Sequence, residues 1–579
     1  MKIKYKFLII FLFICNTIFA QETLSKYNTS WTSVLPGSVI CEPVATSYGF
    51  CLATDARNLM GFSSSGVLLW EKNIGRVRNI SLTVLKGDFI LFHDISNNVY
   101  KLFNPSGTEI WSQTIDFVPF SKPFAGRDGR FFIYGENKIL CLGINGKIRW
   151  QLETDYQKEL SMQELPDGSL IIFLRDLNGC TQGLRISPFG KQLEKIIFSG
   201  SIKSTNTCND GVLLTFENGN SGLFALSNGF AKSRWVTNVK VENPVFVVSS
   251  DKNDYRLLSL SKSQITIYKL NNENGVVESY KTITGIDGTS LLQTVYSDSG
   301  LFLADSYNAF LIDSDFKELW SAKIPETVRN KTINEMVYLD DDYLVFCNKN
   351  WSMSAYHTNQ TTKSNVSKNI QNPHSDYSSF APLNLDVINY YTADAFFSQI
   401  KDDSITEHLF EGFYGSEEQQ WLTQILSIAK LYAIEAGSQS FGTRPERSIF
   451  QTDSAGFETI LLQLSLLCTD QSQNAAAAII SESSDKTFCR TLLSNLTGYD
   501  PDGKLLKALE RNALRAGTKD SAYINSLCDC VYSICLFMGR PAYNKKGKEL
   551  LKKFIGLEYS SVTRNYARET LKKIIALEL

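Results

Sequence analysis

Residues 58–74 read NLMGFSSSGVLLWEKNI, residues 99–115 read VYKLFNPSGTEIWSQTI, and residues 138–154 read KILCLGINGKIRWQLET. Each segment is a short alternating strand, a turn closed by Gly, and a second strand with Trp four residues after that Gly. The alternation predicts half-buried β-strands, and the Gly is typical of a tight turn between them. A segment that recurs so regularly predicts a repeat fold.

The spacing of the Trp position predicts a β-propeller. The position is occupied by Trp31, Trp70, Trp111, Trp150, Trp235 and Trp320, and by other residues at 194 and 280. Neighbouring positions lie 39 to 45 residues apart, which is the period of a propeller blade with four short strands. Eight positions predict eight blades within residues 21–358, with seven blades as the alternative.

The two ends of this region predict how the ring closes. The strand at Trp31 has no upstream half, and the last unit, which ends near residue 358, has no Trp strand. We expect these two halves to form one blade, because closure removes the exposed edges of an open sheet. We interpret the six tryptophans as structural residues that close the blades, each ring wedged between neighbouring blades with its NH on one partner. The alternative is a ring that stacks on a ligand.

The strand-turn-Gly-x-x-x-Trp unit resembles the pyrroloquinoline-quinone-type (PQQ-like) propeller repeat, over residues 28–358. The resemblance implies one of two classes. One is the quinone-dependent dehydrogenases. The other is non-catalytic propeller scaffolds, such as the propeller lipoprotein of the outer-membrane barrel assembly machine.

The first 20 residues have the pattern of a cleaved signal peptide. Three lysines precede an apolar run that ends at Cys15, and Ala20 ends an acceptable cleavage site. Lipidation at Cys15 is the alternative, although bulky Ile14 stands where a small residue is expected. The rest of the chain has no apolar stretch long enough to span a bilayer, so we expect an exported protein without stable membrane insertion, in the periplasm or at the cell surface.

Charge and cysteine content narrow the function classes. The net charge of −2 falls to −5 when the three leader lysines are removed, which is not the basic balance of a nucleic-acid-binding or anionic-membrane-binding protein. Eleven cysteines remain at irregular spacing, without a CxxC motif, which argues against a zinc site. Most lie in apolar segments, where free Cys packs as a small apolar residue. Cys41 and Cys51 are a candidate disulfide across a hairpin.

Beyond the propeller, the sequence pattern changes twice. Residues 359–382 are rich in Asn, Ser, Thr and Lys and read as a linker. Residues 383–579 have helical periodicity, with predicted helices around 416–437, 457–468 and 547–554, and a start signal at Asp500-Pro501. This region resembles HEAT-type or related α-solenoid repeats, and an irregular helical bundle is the alternative.

The sequence predicts no catalytic, cofactor-binding or metal-binding residue. The quinoprotein resemblance implies a calcium site, a basic Asp and often two adjacent cysteines, and no Cys-Cys pair occurs here. We interpret the acidic groups at 251–254, 313–315 and 340–342 as turns. His93 reads as a turn residue at a strand end, and the lysines of 545–553 as a solvated helix face.

Recognition is then the function that the sequence favours. Propeller faces and solenoid grooves both suit protein ligands and need no reactive side chain. The first hypothesis is a non-enzymatic exported scaffold that binds protein partners. The second is a carbohydrate- or small-ligand-binding propeller, with aromatic residues clustered at one mouth. The third is a divergent PQQ-dependent dehydrogenase, with a carboxylate-lined axial cavity.

Overall fold

A computed structural model describes two parts of the chain. The first is residues 30–358, without 127–128, 155–157, 166–168, 176–180, 187–189, 191, 199, 226–231, 250–253, 298, 325–335, 340–341 and 349–350. The second is residues 476–578, without 478–479, 482–485, 497 and 516. The predicted signal peptide, the linker at 359–382 and the helices around 416–437 and 457–468 lie outside the described residues, and these features stay predictions.

The first part is an eight-bladed β-propeller, and every blade is a four-stranded antiparallel sheet. Blades 1 to 4 contain β2 (Val44–Thr46), β3 (Gly49–Thr54), β4 (Asn58–Ser63), β5 (Leu68–Asn73); β6 (Ile80–Leu85), β7 (Phe89–Asp94), β8 (Val99–Phe103), β9 (Glu109–Thr114); β10 (Phe124–Ala125), β11 (Phe131–Gly135), β12 (Lys138–Leu142), β13 (Ile148–Glu153); β14 (Lys158–Glu164), β15 (Leu170–Arg175), β16 (Thr181–Ile186) and β17 (Gln192–Phe198).

Blades 5 to 8 contain β18 (Ile202–Cys208), β19 (Gly211–Phe216), β20 (Ser221–Ala225), β21 (Trp235–Val236); β22 (Pro244–Val248), β23 (Tyr255–Leu260), β24 (Gln264–Leu270), β25 (Val277–Thr284); β26 (Gln293–Ser297), β27 (Gly300–Ala304), β28 (Asn308–Ile312), β29 (Glu318–Lys323); and β30 (Met336–Tyr338), β31 (Tyr343–Asn348), β32 (Ser352–His357) and β1 (Trp31–Val34). The second strands β3, β7 and β11 are buried along their whole length, because both sheet faces pack on neighbouring blades.

Blade 8 is built from both ends of the propeller region. Strand β1 pairs with β32, with Trp31 opposite Ala355 and Val34 opposite Ser352. The prediction of eight blades, with the Trp31 strand completing the last one, is therefore confirmed, and the seven-blade alternative is wrong. Ring closure packs the faces of blades 8 and 1 against each other, while each blade keeps its own short inner and outer edge strands.

The tryptophan rings lie against the glycine turns of the next blade. Trp31, Trp70, Trp111, Trp150 and Trp235 lie against Gly66, Gly107, Gly146, Gly190 and Gly275, respectively. These glycines have φ between 70° and 90°, and a Cβ on any of them would meet the indole ring. The Nε1 atoms of Trp31, Trp111 and Trp235 donate to Ser64 O, Ile144 O and Asn272 O at 2.8, 2.9 and 3.0 Å. Trp320, at the junction of blades 7 and 8, is buried.

Two of the eight Trp positions, in blades 4 and 6, are occupied by other residues. In blade 4, Glu194 lies opposite Arg185, next to a bulge. In blade 6, the residue at the equivalent register is Ser279, opposite Lys269, so the assignment of residue 280 was wrong by one. A shift of one residue changes the face of a strand, and Tyr280 accordingly points outward, 67% exposed. Phe316 occupies the matching turn of blade 7 at φ 65° and packs into the apolar core shared by blades 6 and 7.

The described cysteines are buried thiols. None of the nine forms a disulfide, Cys41 and Cys51 included, so the candidate disulfide is not formed. Both thiols lie in the apolar cluster between blades 1 and 2. Burial raises the pKa of Cys41 to about 12, which keeps it protonated and unreactive.

The second part of the chain includes the helices α1 (Lys486–Asn495), α2 (Lys504–Arg515), α3 (Ser521–Met538), α4 (Pro541–Lys553) and α5 (Ser561–Ala576), and residues 476–477 and 480–481 are also helical. Helices α1, α2, α4 and α5 all pack on α3. By length and composition, α3 is the one described helix that could cross a membrane, but 56% of it is buried among its neighbours. The HEAT-like assignment of residues 383–579 is not tested by these helices and stays a prediction.

Two helix starts differ from the sequence interpretation. Helix α2 begins at Lys504 and not at Pro501, although the Asp500 carboxylate still accepts from the N–H groups of Leu505 and Leu506, both at 2.9 Å. Helix α4 begins at Pro541, six residues before the predicted start at Gly547. Gly547 lies inside this helix because α3 passes too close for a side chain, with Cys535 Sγ 2.6 Å from the position of a Cβ.

We predict that Gly66→Ala destabilises the propeller more than Gly75→Ala. Both glycines have positive φ, 79° and 76°, so each substitution costs about 1–2 kcal/mol of backbone strain. A Cβ at Gly66 would also lie 2.5 Å from Trp31, whereas Gly75 has open space. We expect a further loss of about 1–3 kcal/mol for Gly66→Ala, measured by urea unfolding. Equal losses of unfolding free energy in both variants would contradict the packing of the Trp31 ring against Gly66.

Candidate functional site

The propeller has two faces, and strand direction decides which turns lie on each. Because strands in a blade are antiparallel, the turns after the first and third strands lie on one face. The turns after the second and fourth strands lie on the opposite face. We call the first the helix face, because the helical part packs on it, and the second the open face.

An apolar cluster joins the helices to blades 2 and 3. It contains propeller residues such as Phe89 and Phe131 together with Tyr499, Leu527 and Phe537 of the helical part. The Phe89 ring is 6.0 Å from the Tyr499 ring and 5.1 Å from the Phe537 ring. The helical part is therefore fixed to the propeller through a shared core.

A charged contact lies beside this core. Arg540 Nη2 donates to Gly87 O and to Asp88 Oδ2, both at 3.0 Å. Asp88 also accepts from Ser47 N at 2.8 Å and from the Ser47 hydroxyl. One buried carboxylate thus links blade 1, blade 2 and the start of α4.

The propeller also caps the end of α3. Asn104 Nδ2 donates to Leu536 O at 2.6 Å, and this carbonyl is among the last four of α3, which lack partners inside the helix. Gly539 follows the helix at φ 59°. Its missing side chain also lets the helix end approach Asn104, because a Cβ there would lie 2.5 Å from Asn104 Nδ2. One of the carbonyl groups in the last turn of α3 is therefore satisfied by blade 2.

Around the axis, amide side chains are bound to neighbouring backbone. Asn206 donates to Phe246 O at 2.6 Å, and Gln293 donates to Met336 O at 3.1 Å. Gln163 donates to Thr205 O at 3.3 Å. Each contact joins the first strand of one blade to the first strand of the next. These amides satisfy carbonyl groups on strand edges that have no further strand to pair with.

Buried charges are held in pairs between or beside blades. Arg130 Nη2 lies 2.9 Å from Glu164 Oε1, between blades 3 and 4. Arg256 Nη2 lies 2.7 Å from Asp254 Oδ2, which also accepts from the Tyr296 hydroxyl of blade 7. Both guanidinium groups also lie over Phe rings. Paired and hydrogen-bonded in this way, they are typical of structural contacts.

The acidic segments singled out in the sequence have turn geometry where they are described. Asp313 Oδ1 accepts from the N–H groups of Asp315 and Lys317 at 3.0 and 2.8 Å, a local turn contact. Asp342, in the first turn of blade 8, accepts from the hydroxyls of Ser299 and Tyr338. Within the described ranges, no group of three or more His, Cys, Asp or Glu is arranged to hold a metal ion.

The open face carries exposed large apolar residues. Val34, Ile95, Val118, Phe120, Tyr307 and Trp351 belong to its turns and loops or adjoin them. They come from blades 7, 8 and 2 and from the connection to blade 3. Val34 and Trp351 are 81% and 54% exposed, and they adjoin each other across the closing strand pair. We call these six residues the open-face arc. Periodicity did not identify them, because five lie outside the repeated motif and Val34 ends the closing Trp strand.

Blade 2 contains a row of buried polar side chains. Ser81, His93, Tyr100 and Gln113 lie opposite one another on its four strands. The polar side-chain atoms of this row are buried without a hydrogen-bond partner: Ser81 Oγ, His93 Nδ1 and Nε2, Tyr100 OH and Gln113 Nε2. His93 stacks on Tyr100, with ring centroids 4.1 Å apart. His93 is thus a core residue of β7 and not a turn residue, so that interpretation was wrong.

Burial sets the protonation of this histidine. Desolvation lowers the pKa of His93 from its ordinary value of 6.5, against smaller opposing effects of Asn98 and the Asp94 carboxylate. The neutral imidazole is therefore the form that the folded chain favours.

Comparison with known proteins identifies no family for this chain. No family model and no curated protein matches the chain. Among solved structures, BamB from Moraxella catarrhalis has 11% identity and a TM-score of 0.41, covering 57% of this chain and 99% of its own. Sqt1 from Saccharomyces cerevisiae has 10% identity and a TM-score of 0.42, with the same coverage.

A streptogramin B lyase also resembles the chain, with 12% identity and a TM-score of 0.34 over 56% of this chain and 96% of its own. Propellers of quite different names therefore match about equally. At this identity and these TM-scores, the similarities carry no argument about activity or partners.

We predict that Arg540→Ala loosens the helical part from the propeller. It removes one hydrogen bond to Gly87 O and one to the carboxylate of Asp88, which is 8% exposed, so we expect a loss of about 1–3 kcal/mol. Amide hydrogen exchange of α3 and α4 measures this loss of stability. The control Lys122→Ala breaks the exposed Lys122–Glu42 pair and should cost about 0–1 kcal/mol. Unchanged exchange in Arg540→Ala would contradict the anchoring role.

We predict that His93 makes the propeller sensitive to acid. Because the folded pKa lies below the unfolded value of 6.5, the unfolded chain binds the proton more readily, and stability falls as pH drops below about 6.5. His93→Phe should reduce this loss, measured as the difference between urea midpoints at neutral and mildly acidic pH. His357→Phe, at the end of β32, should retain the wild-type difference. An identical pH dependence in wild type and His93→Phe would refute the prediction.

Proposed function

We propose that this chain is a non-enzymatic, exported interaction scaffold that binds a protein partner through the open face. The observation that carries the proposal is the open-face arc. Trp, Tyr and Phe are the residue types that dominate protein-binding hot spots, since each buries a large area with few rotatable bonds. A surface that keeps Trp351, Tyr307 and Phe120 accessible at the turns of one face has the composition of a binding surface.

The junction with the helices supports the same view. On the helix face, the propeller already holds α-helical protein through aromatic rings around Phe89 and the Arg540–Asp88 pair. Aromatic and Arg anchors are also what separate protein interfaces use. The described helices pack on turns of blades 2 and 3 on that face, so the arc lies on the side away from them.

Among the described residues of the propeller, the carboxylates and amides that a catalytic site would need make structural contacts. The carboxylates of Asp88, Asp254 and Glu164 are paired with arginines, and the axial amides bind backbone. Buried pairs of this kind fix the positions of the blades. These contacts favour recognition over catalysis as the role of the propeller.

A carbohydrate- or small-ligand-binding propeller is the second candidate. The exposed rings of Trp351 and Tyr307 are also suited to stacking on sugars. In addition, a cavity of about 360 Å³ opens between blades 3 and 4, with Glu153, Gln192 and Lys195 in its wall. A polar, mixed-charge wall of this kind suits a small polar solute.

The proposal predicts that the arc, and not exposed aromatic residues in general, is required for binding. The test compares the wild type, the triple variant Phe120→Ala, Tyr307→Ala and Trp351→Ala, and the control Tyr280→Ala. Tyr280 is 67% exposed on the outer strand of blade 6, away from the arc. Each chain is immobilised and exposed to an envelope extract, with cross-linking to identify bound proteins. We expect loss of about tenfold or more of the bound partner in the triple variant only.

The other outcomes separate the candidates. A triple variant that retains the same protein partner would overturn the open-face assignment. Binding of the wild type to immobilised glycans, lost in the triple variant without any protein partner, would instead favour the carbohydrate-binding candidate. Tyr280→Ala should behave as wild type in both assays.

A further inference from the structure

The last two helices have a charge opposite to that of the whole chain. Residues 541–578 contain nine Lys and Arg against four Glu and no Asp, a net charge of +5, whereas the complete chain carries −2. The overall balance conceals this local excess. Charge concentrated on one element indicates a surface for an anionic partner, because the field near it is set by local and not by total charge.

The structure collects part of this charge into one stripe. Lys545, Lys546, Lys552 and Lys553 are exposed on one face of α4, with Glu549 among them. The opposite face, including Leu550 and Leu551, is buried. Lys553 pairs with Glu510. The other three lysines of the stripe form no ion pair within the described residues.

An exposed apolar tip continues the stripe. Leu557, in the turn between α4 and α5, is 89% exposed, and Val562 at the start of α5 is 63% exposed. Leu557 follows Lys553 by four residues in the chain, with Glu558 as the acidic residue of the turn. Basic residues next to protruding apolar residues are the composition of an interfacial membrane-binding element.

The tip has a fixed backbone. Arg564 donates to Leu557 O at 3.4 Å and to Tyr559 O at 3.1 Å. The rings of Phe554 and Tyr559 pack edge to face, 5.6 Å apart, and Lys548 joins α4 to Glu578 after α5. Leu557 is therefore held outward by an ordered turn, so presenting it to a surface requires no further ordering of the chain.

We propose that the α4–α5 hairpin docks on an anionic lipid surface, with the lysine stripe at the headgroups and Leu557 and Val562 inserted between them. Two features favour lipid over an acidic protein. Electrostatic attraction alone would need no apolar tip, and the combination of a basic patch with inserted apolar residues is what holds a protein at a membrane interface without spanning it. The proposal does not depend on the open-face arc.

The test is co-sedimentation with vesicles of phosphatidylcholine alone or mixed in equal parts with phosphatidylglycerol. Wild type should bind the mixed vesicles preferentially and more weakly as salt rises. The variant Lys545→Glu, Lys546→Glu, Lys552→Glu should bind about tenfold more weakly or worse. The matched control Lys72→Glu, Lys262→Glu, Lys281→Glu makes the same charge change at exposed propeller positions and should keep binding. Leu557→Ser should weaken the binding that persists at high salt.

Three outcomes would overturn the proposal. Wild type that binds both vesicle types equally shows no preference for anionic lipid. Equal loss in the hairpin and propeller triple variants shows an effect of net charge alone. Wild type that ignores anionic vesicles but binds poly-glutamate through the same lysines assigns the stripe to an acidic protein partner. Because the altered lysines are exposed, circular dichroism of the variants should match wild type and report any failure to fold.

Discussion

The pairing of β1 with β32 is the constraint on which the rest of the structure depends. Without it, blades 1 and 8 would each leave a sheet face uncovered, and β32 would lack its outer partner strand. The same strand brings Trp31 against Gly66, so closure is made by backbone hydrogen bonds and by ring packing together. Where the tryptophan is missing, blade 7 supplies Phe316 from the opposite side of the junction. The junction of blades 6 and 7 thus keeps a large apolar side chain, which comes from Phe316 and not from a tryptophan.

A rigid ring makes the second part of the architecture possible. Asp88 and Asn104 lie in turns of blade 2 whose positions are set by the sheet, and they meet Arg540 and the last carbonyl groups of α3. Neither end of α3 would be satisfied by helix bonds alone. Asp520 caps its start within the helical part, whereas the propeller caps its end. The helices are therefore attached through a helix terminus and a shared core, and not only through the chain connection.

These contacts leave two surfaces for recognition with different chemistry. The open face presents exposed aromatic side chains, which suits a protein partner. The α4–α5 hairpin presents lysines and an apolar tip, which suits an anionic interface. A molecule that binds through both would hold a partner at a surface, which is a scaffold role that needs no reactive group.

Much of the fold was predictable from local pattern. The Gly-x-x-x-Trp spacing predicted the blade period, the number of blades and the closing strand, because each blade repeats the same packing problem over about 40 residues. Register was less certain: with no Trp in blade 6, one residue separated Ser279 from the position assigned. The buried state of His93 was also missed, since a polar residue at a strand end gives no sign of the blade packed above it.

The sequence alone determined the architecture of the ring, since repetition and strand alternation are local properties. Tertiary structure alone decided which surfaces meet. Arg540 and Asp88 are separated by 452 residues, and Asn104 and Leu536 by 432. The open-face arc draws on blades that are distant in the chain. No periodic signal connects such residues, because closing a ring brings together positions whose separation in sequence is unrelated to their distance in space.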